Sequence, residues 1–152
     1  MPIFNMVGGG GFNLEGMMWV ERPTLPYAFS NGSAVVLNNE IHILGGNSGT
    51  KNHYKWNGSN WINVSTIPYE FANGSAVVLN DEIHILGGGN IYSYDAHYKW
   101  NGSKWTSVTR LPYRFNDSSA VVLNNEIHIL GSNCDSEYSK NHYAYCKLYT
   151  KA

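Results

Sequence analysis

The stretch GSAVVLNNEIHILGG at residues 32–46 decides the fold, because the chain repeats it twice more. It returns as GSAVVLNDEIHILGG at residues 74–88 and as SSAVVLNNEIHILGS at residues 118–132. The copies therefore start 42 and then 44 residues apart. Self-similarity at a fixed period of this size is the signature of a repeat architecture, in which each copy builds one supersecondary unit and stacks against its neighbours.

Each copy is predicted to form four short antiparallel strands, which we name a to d. No stretch of useful length shows the 3.6-residue period of an amphipathic helix. Asn38-Asn39 between strands a and b, and Asn57-Gly58 between strands c and d, are hairpin signals because Asn and Gly tolerate positive φ. In the first unit the predicted strands are residues 33–38 (a), 40–44 (b), 53–57 (c) and 60–65 (d).

These residues resemble Kelch repeats. The resemblance lies in the Val and Leu residues of strand a, the Ile-x-Ile-Leu-Gly-Gly closing strand b, an aromatic residue in strand c and a Trp opening strand d. The Gly-Gly pair stands at residues 45–46 and 87–88, whereas the third copy departs with Gly131-Ser132. Over residues 17–149 the resemblance implies an all-β, Kelch-type β-propeller with four-stranded antiparallel blades. Kelch propellers serve as binding platforms, scaffolds and some enzymes, so function has to be argued from the site.

The strand count predicts three blades' worth per chain. Propellers close with about four to eight blades, so we expect oligomerisation to complete the ring, most simply as a six-bladed homodimer. In that dimer strand d of one chain completes the last blade of the other and removes an unpaired edge. A larger assembly is the alternative. The predicted divisions are an N-terminal Gly-rich segment (1–16), a first strand d (17–22) and units 25–66, 67–110 and 111–152, the last with strands a to c alone.

The first eleven residues, MPIFNMVGGGG, resemble the starts of some bacteriophage tail-associated proteins. This second resemblance implies a phage or prophage protein carried on a virion. Near-identity among the repeat copies indicates recent duplication and agrees with it. The role of residues 1–11 within the propeller is left open.

The composition argues against two classes of partner. The net charge is −1 and charged residues make up 14%, against about 25% in an average soluble domain, so no basic field is expected to hold nucleic acid. No apolar run approaches the roughly 18 residues of a membrane span, and no secretory signal is visible. We therefore expect no membrane insertion. The sequence leaves two locations open, a virion and otherwise the cytoplasm.

The repeated histidines are interpreted as structural. Catalytic chemistry needs one asymmetric constellation, whereas these histidines recur with the repeat. No nucleophile-elbow, phosphate-loop, zinc-protease or dinucleotide motif occurs. We predict a protein that is not an enzyme and holds neither metal nor cofactor. Cys134 and Cys146 are interpreted as free thiols, with a disulfide as the alternative.

The ligand site is predicted on the b–c loops, residues 47–52, 89–96 and 132–141, because they vary while the other turns are uniform. Tyr rings and carboxylates on a rigid rim suit carbohydrate or protein surfaces. The chain is thus predicted to be a non-enzymatic recognition module for a cell-surface glycan or protein. A purely structural assembly subunit and a small Kelch-type sugar-processing enzyme are the alternatives. The predicted site residues are Tyr92, Tyr94, Asp95, Asp135, Glu137 and Tyr138.

Overall fold

The computed structural model describes residues 16–47 and 50–148, and each copy of the repeat forms one antiparallel sheet with its strands in chain order. None of the helical structure in these residues is long and apolar enough to span a membrane. The first sheet contains β1 (Ser33–Leu37), β2 (Glu40–Leu44), β3 (Asn52–Trp56) and β4 (Trp61–Thr66). The second contains β5 (Ser75–Leu79), β6 (Glu82–Leu86), β7 (His97–Trp100) and β8 (Trp105–Ser107). The third contains β9 (Ser119–Leu123), β10 (Glu126–Leu130) and β11 (His142–Tyr145), with a 3₁₀ turn at Ser136–Tyr138 before β11.

The hairpins between the first two strands of each sheet confirm the turn prediction. Asn38 and Asn39 have φ of 51° and 64°, the left-handed values that a two-residue type I′ turn requires at both positions. The turn between β3 and β4 is longer than predicted, because Asn57 Oδ1 accepts hydrogen bonds from the N–H groups of Ser59 and Asn60, both at 2.9 Å. This side-chain turn spans residues 57–60 and pairs Trp56 with Trp61.

Each sheet has two distinct faces, which alternation along the strands separates. The leucine face of the first sheet carries Leu37 and Leu44, and the isoleucine face carries Ile41 and Ile43. The first leucine face packs on the second isoleucine face, and the second leucine face packs on the third isoleucine face. Phe71 and Phe115, both fully buried, lie in these two cores.

Glycine allows the sheets to approach closely beside the phenylalanines. Gly46 N donates to Phe71 O at 2.8 Å, linking the first sheet to the segment that precedes the second. At Gly45, with φ of 62°, a Cβ would lie 1.9 Å from the same carbonyl oxygen. A side chain at this position would therefore push the sheets apart.

The third leucine face is open to solvent, and the first isoleucine face is open at Ile41 although Ile43 on the same face is buried. On the third leucine face Leu123 is 59% exposed and Leu130 39%, although their copies in the other sheets are buried. On the first isoleucine face Ile41 is 41% exposed, whereas its copies Ile83 and Ile127 are buried. The sheets thus stack in an open series rather than a closed ring within the described part of the chain.

Residues 17–22 adopt no strand in the single chain, and Trp19 is 96% exposed. Within the described residues the third sheet also lacks a fourth strand beyond β11. The sequence predicts that residues 17–22 pair with another chain. The pairing of residues 17–22 with another chain therefore stays a prediction. Residues 1–11, whose role the sequence leaves open, lie outside the described residues.

Candidate functional site

The loops between the second and third strands lie against the segments that precede the first strands. Asn47 N donates to Ser30 O at 2.6 Å, and Gly89 N donates to Ala72 O at 2.7 Å. Both sets of loops therefore meet at one end of the sheets, which we call the loop end. This is the end on which the sequence predicts the ligand.

The β6–β7 loop places one predicted site residue in solvent and two in contacts within the chain. Tyr92 is 82% exposed. The Arg114 guanidinium lies 5.1 Å from the centre of the Tyr94 ring, a cation–π arrangement. Asp95 forms an ion pair with Arg110. Tyr92 is therefore the residue of this loop best placed to meet a ligand.

The β10–β11 loop uses two of its three predicted residues, Asp135 and Tyr138, in contacts within the chain. Asp135 accepts a hydrogen bond from the Glu137 N–H at 3.2 Å and so caps the 3₁₀ turn. The Tyr138 ring packs 5.5 Å from the ring of Tyr113. The carboxylate of Glu137 raises the pKa of Tyr138. Glu137 is exposed and leaves its side chain at the surface.

A depression of about 620 Å³ opens at the loop end between the first and second sheets. Asn31 and Asn73 precede β1 and β5 with φ of 59° and 64°, and Asn73 N donates to Asn31 O at 2.8 Å. Asn47 is held at the rim because its Nδ2 donates to Ala28 O at 2.6 Å. The residues lining the depression are Asn31, Asn47, Glu70, Ala72, Asn73, Gly89 and Asn90.

Polar side chains bond to one another at the corresponding place between the second and third sheets. Asn116 stands there where the first gap has Ala72, and its Nδ2 donates to Asn133 Oδ1 at 3.0 Å. Asn133 Nδ2 donates in turn to Asp117 Oδ2 at 2.6 Å. The first gap thus has Ala72 and Gly89 where the second has Asn116 and Asn133, so two amide side chains are missing around the depression.

Sequence reasoning missed this depression, because it treated the repeated Asn residues as turn formers. The turn role is real, since the repeated Asn31 and Asn73 have φ of 59° and 64°. One signal was available in the sequence: the residue after the repeated Phe is Ser30, Ala72 or Asn116, so it differs from copy to copy. Tyr92 stands two residues after the lining residue Asn90, whose Oδ1 accepts a hydrogen bond from the Tyr92 N–H at 2.9 Å.

The repeated histidines form hydrogen-bonded pairs between the second and third strands of each sheet. A neutral imidazole donates with one nitrogen and accepts with the other, so the contacts of the two buried pairs suit uncharged rings. Burial lowers the pKa of His53 to about 3 and those of His84 and His97 to about 4. The pairs, each with Nδ1 and Nε2 2.8 Å apart, are His42–His53, His84–His97 and His128–His142.

One pair extends to a hydroxyl in an arrangement that is superficially like a catalytic relay. His53 Nδ1 lies 2.7 Å from Ser65 Oγ. Trp105 Nε1 also donates to that oxygen, at 2.9 Å, and His53 is fully buried between the sheets. A catalytic Ser needs a base that can take its proton, and burial lowers the pKa of His53 to about 3, which makes it a weak base. The His53–Ser65 contact joins β3 to β4 within the first sheet, and the Trp105–Ser65 hydrogen bond joins the first sheet to the second.

Both cysteines are free thiols, with Cys134 partly buried and Cys146 exposed. The disulfide that the sequence left as an alternative is not present. The two residues do not tie the β10–β11 loop to the end of β11, so hydrogen bonds such as Ser132 Oγ to Arg114 O, at 2.7 Å, hold that loop.

Comparisons with known proteins support the fold and go no further. No family model and no curated protein matches the chain. Among solved structures 124 chains match. One, described as the structure of YjhT, matches with a TM-score of 0.65 and 18% sequence identity, covering 72% of this chain and 36% of that chain. This chain therefore spans little more than a third of that protein, and it shares with it an all-β fold of repeated antiparallel sheets.

Proposed function

We propose that this chain is part of a Kelch-type β-propeller and acts as a non-enzymatic binding module for a glycan. The observation that carries the proposal is the depression at the loop end, where four Asn residues and Glu70 surround an open space of about 620 Å³. The stacking of three antiparallel sheets, each face to face with the next, supports the propeller. The rigid stack fixes where the loops stand.

A glycan fits the chemistry of this lining. Carboxamides donate and accept hydrogen bonds and a carboxylate accepts them, so the set matches the hydroxyl groups of a sugar. Tyr92, which is exposed and adjoins Asn90, adds a flat apolar ring of the kind that stacks on sugar faces. With Asp95, Asp135 and Tyr138 engaged within the chain, we place the contact at the depression and Tyr92 rather than along the whole rim.

The test fills the depression without removing any lining Asn. Ala72→Asn introduces the side chain that occupies the second gap, and it should abolish binding on a glycan array of neutral and acidic sugars. Tyr92→Ala should weaken binding at least tenfold. Ser59→Asn, in an exposed turn between β3 and β4, is the matched control and should bind as the unmodified chain does. Melting curves should coincide for all variants.

Two outcomes would favour other functions. Failure of the unmodified chain to bind any glycan, with normal melting, would favour a purely structural assembly subunit. Turnover of a sugar substrate would favour the enzyme that the sequence left as an alternative. Display on a phage particle stays a prediction from residues 1–11.

A further inference from the structure

A second opening in the molecule, of about 780 Å³, lies between the second and third sheets beside β11. His97 and Thr109 line it from the second sheet and its following segment, and Tyr143 and Tyr145 line it from β11. Its exposed lining is mostly apolar. An apolar gap inside an otherwise packed stack marks a missing part of the core.

The gap between the first and second sheets shows what occupies this place when it is filled. There Trp105, from the fourth strand of the second sheet, lies 5.7 Å from the ring of His53 and donates from Nε1 to Ser65 Oγ. His97 and Thr109 are the next copies of His53 and Ser65 in the repeat. The opening is therefore the Trp105 position of the third sheet, left empty because the described residues supply no fourth strand there.

We infer that a second copy of this chain fills the opening with its residues 17–22. Trp19 precedes a Leu-Pro-Tyr motif by six residues, as Trp61 and Trp105 precede theirs, and it is nearly fully exposed in the single chain. Its Nε1 donates to the Thr109 hydroxyl of the other copy, as Trp105 Nε1 donates to Ser65. This inference rests on the propeller proposed above and names the partner that closes it.

The two open sheet faces fit the same partner. Between neighbouring sheets, leucine faces pack on isoleucine faces. At its two ends the chain exposes the third leucine face and, at Ile41, part of the first isoleucine face. The third leucine face of one copy is built to pack on the first isoleucine face of the other, because these residues repeat those of the internal interfaces. Two such seams produce a closed, two-fold symmetric ring.

The strand register of the seam follows from the internal hairpins. Trp56 pairs with Trp61 and Trp100 with Trp105, so the donated Trp19 pairs with Tyr145 of the other copy. Met18 then lies opposite Cys146. Directly opposed residues in an antiparallel pair have Cβ atoms about 4.5–5.5 Å apart, close enough for a disulfide to form with little movement.

The experiment uses the exposed native thiol. Met18→Cys, treated with oxidised glutathione, should form a disulfide-linked species of twice the 17.0 kDa chain mass, which a reductant returns to single chains. Met18→Cys with Cys134→Ser should still form this species. Met18→Cys with Cys146→Ser should not.

Dimer dissociation constants of further variants test the side-chain contacts. Trp19→Ala should raise the Kd at least 100-fold, because the ring is lost at both seams. Thr109→Val should raise it about tenfold, through the lost hydrogen-bond acceptor. Tyr92→Ala, the control with another largely exposed aromatic residue, should leave it within threefold.

The outcomes separate this inference from the propeller itself. The wild-type chain could form a dimer while Met18→Cys stays unlinked and Trp19→Ala leaves the Kd unchanged. That result would overturn the strand exchange but keep a ring closed by the sheet faces. A monomer that forms the link within one chain would overturn the exchange as well. A wild-type chain that stays monomeric with both sheet faces open would overturn the ring.

Discussion

Two leucines at the same place in consecutive repeats offer a direct measurement of the seam. Leu79 is buried between the second and third sheets, whereas Leu123 is 59% exposed on the third leucine face. Both lie at the last position of the strand a sequence SAVVL. Leu79→Ala should lower the free energy of unfolding by about 2–5 kcal/mol, the usual cost of truncating a buried Leu.

The cost of Leu123→Ala depends on whether the ring forms. In the single chain about two fifths of this side chain is buried, so truncation should cost about 1 kcal/mol. In the closed ring Leu123 takes the environment of Leu79 and truncation costs about 2–5 kcal/mol. The difference, about 1–4 kcal/mol for each chain, is the part of the cost that falls on dimer formation. A dimer contains two chains, so its dissociation free energy should fall by about 2–8 kcal/mol, which raises the Kd at least about 30-fold.

Urea unfolding at two protein concentrations, combined with sedimentation equilibrium, makes the comparison. Leu79→Ala should lower the unfolding midpoint at both concentrations. Leu123→Ala should act chiefly through the monomer–dimer equilibrium, so its effect on the midpoint should change with concentration. An unchanged dissociation constant in Leu123→Ala would show that the third leucine face is not packed in solution, and the closed ring would be refuted.

Three further predictions concern the single chain. The lowered pKa values of His53, His84 and His97, about 3 to 4 against about 6.5 when unfolded, mean that the unfolded chain binds more protons. The free energy of unfolding should have its full value above about pH 6.5 and should decrease as the pH falls toward 4. Equal urea midpoints at pH 7 and 5 would contradict this. Tyr69→Phe removes the hydroxyl that donates to Gly87 O at 2.6 Å and should cost about 1–3 kcal/mol in urea unfolding, whereas exposed Tyr92→Phe should cost nothing measurable. Gly87→Ala should lower the melting temperature, because its Cβ would lie 2.3 Å from Phe115 O at a φ of 61°. Gly58→Ala should lower it less, because a Cβ there would meet no atom within 4 Å, although the φ is 103°.

The sequence alone determined the strands from residue 33 onward and the first turn of each unit, whereas the strand it predicts at residues 17–22 is not formed in the single chain. Alternating apolar residues and Asn-Asn or Asn-Asp pairs act between neighbours along the chain, so each copy of the repeat folds into the same antiparallel hairpin. The turn at residues 57–60 was predicted too short, because its geometry depends on where the Asn57 side chain bonds.

Only the tertiary structure decided the surroundings of identical residues. Leu79 and Leu123 have the same local sequence, yet one is core and the other surface, since their neighbours come from distant parts of the chain. The candidate site follows the same rule. Tyr94 and Asp95 are engaged by Arg114 and Arg110, which no local pattern announces. Local preference sets the conformation of each copy, whereas the stacking of one sheet on the next sets which side chains remain free to bind.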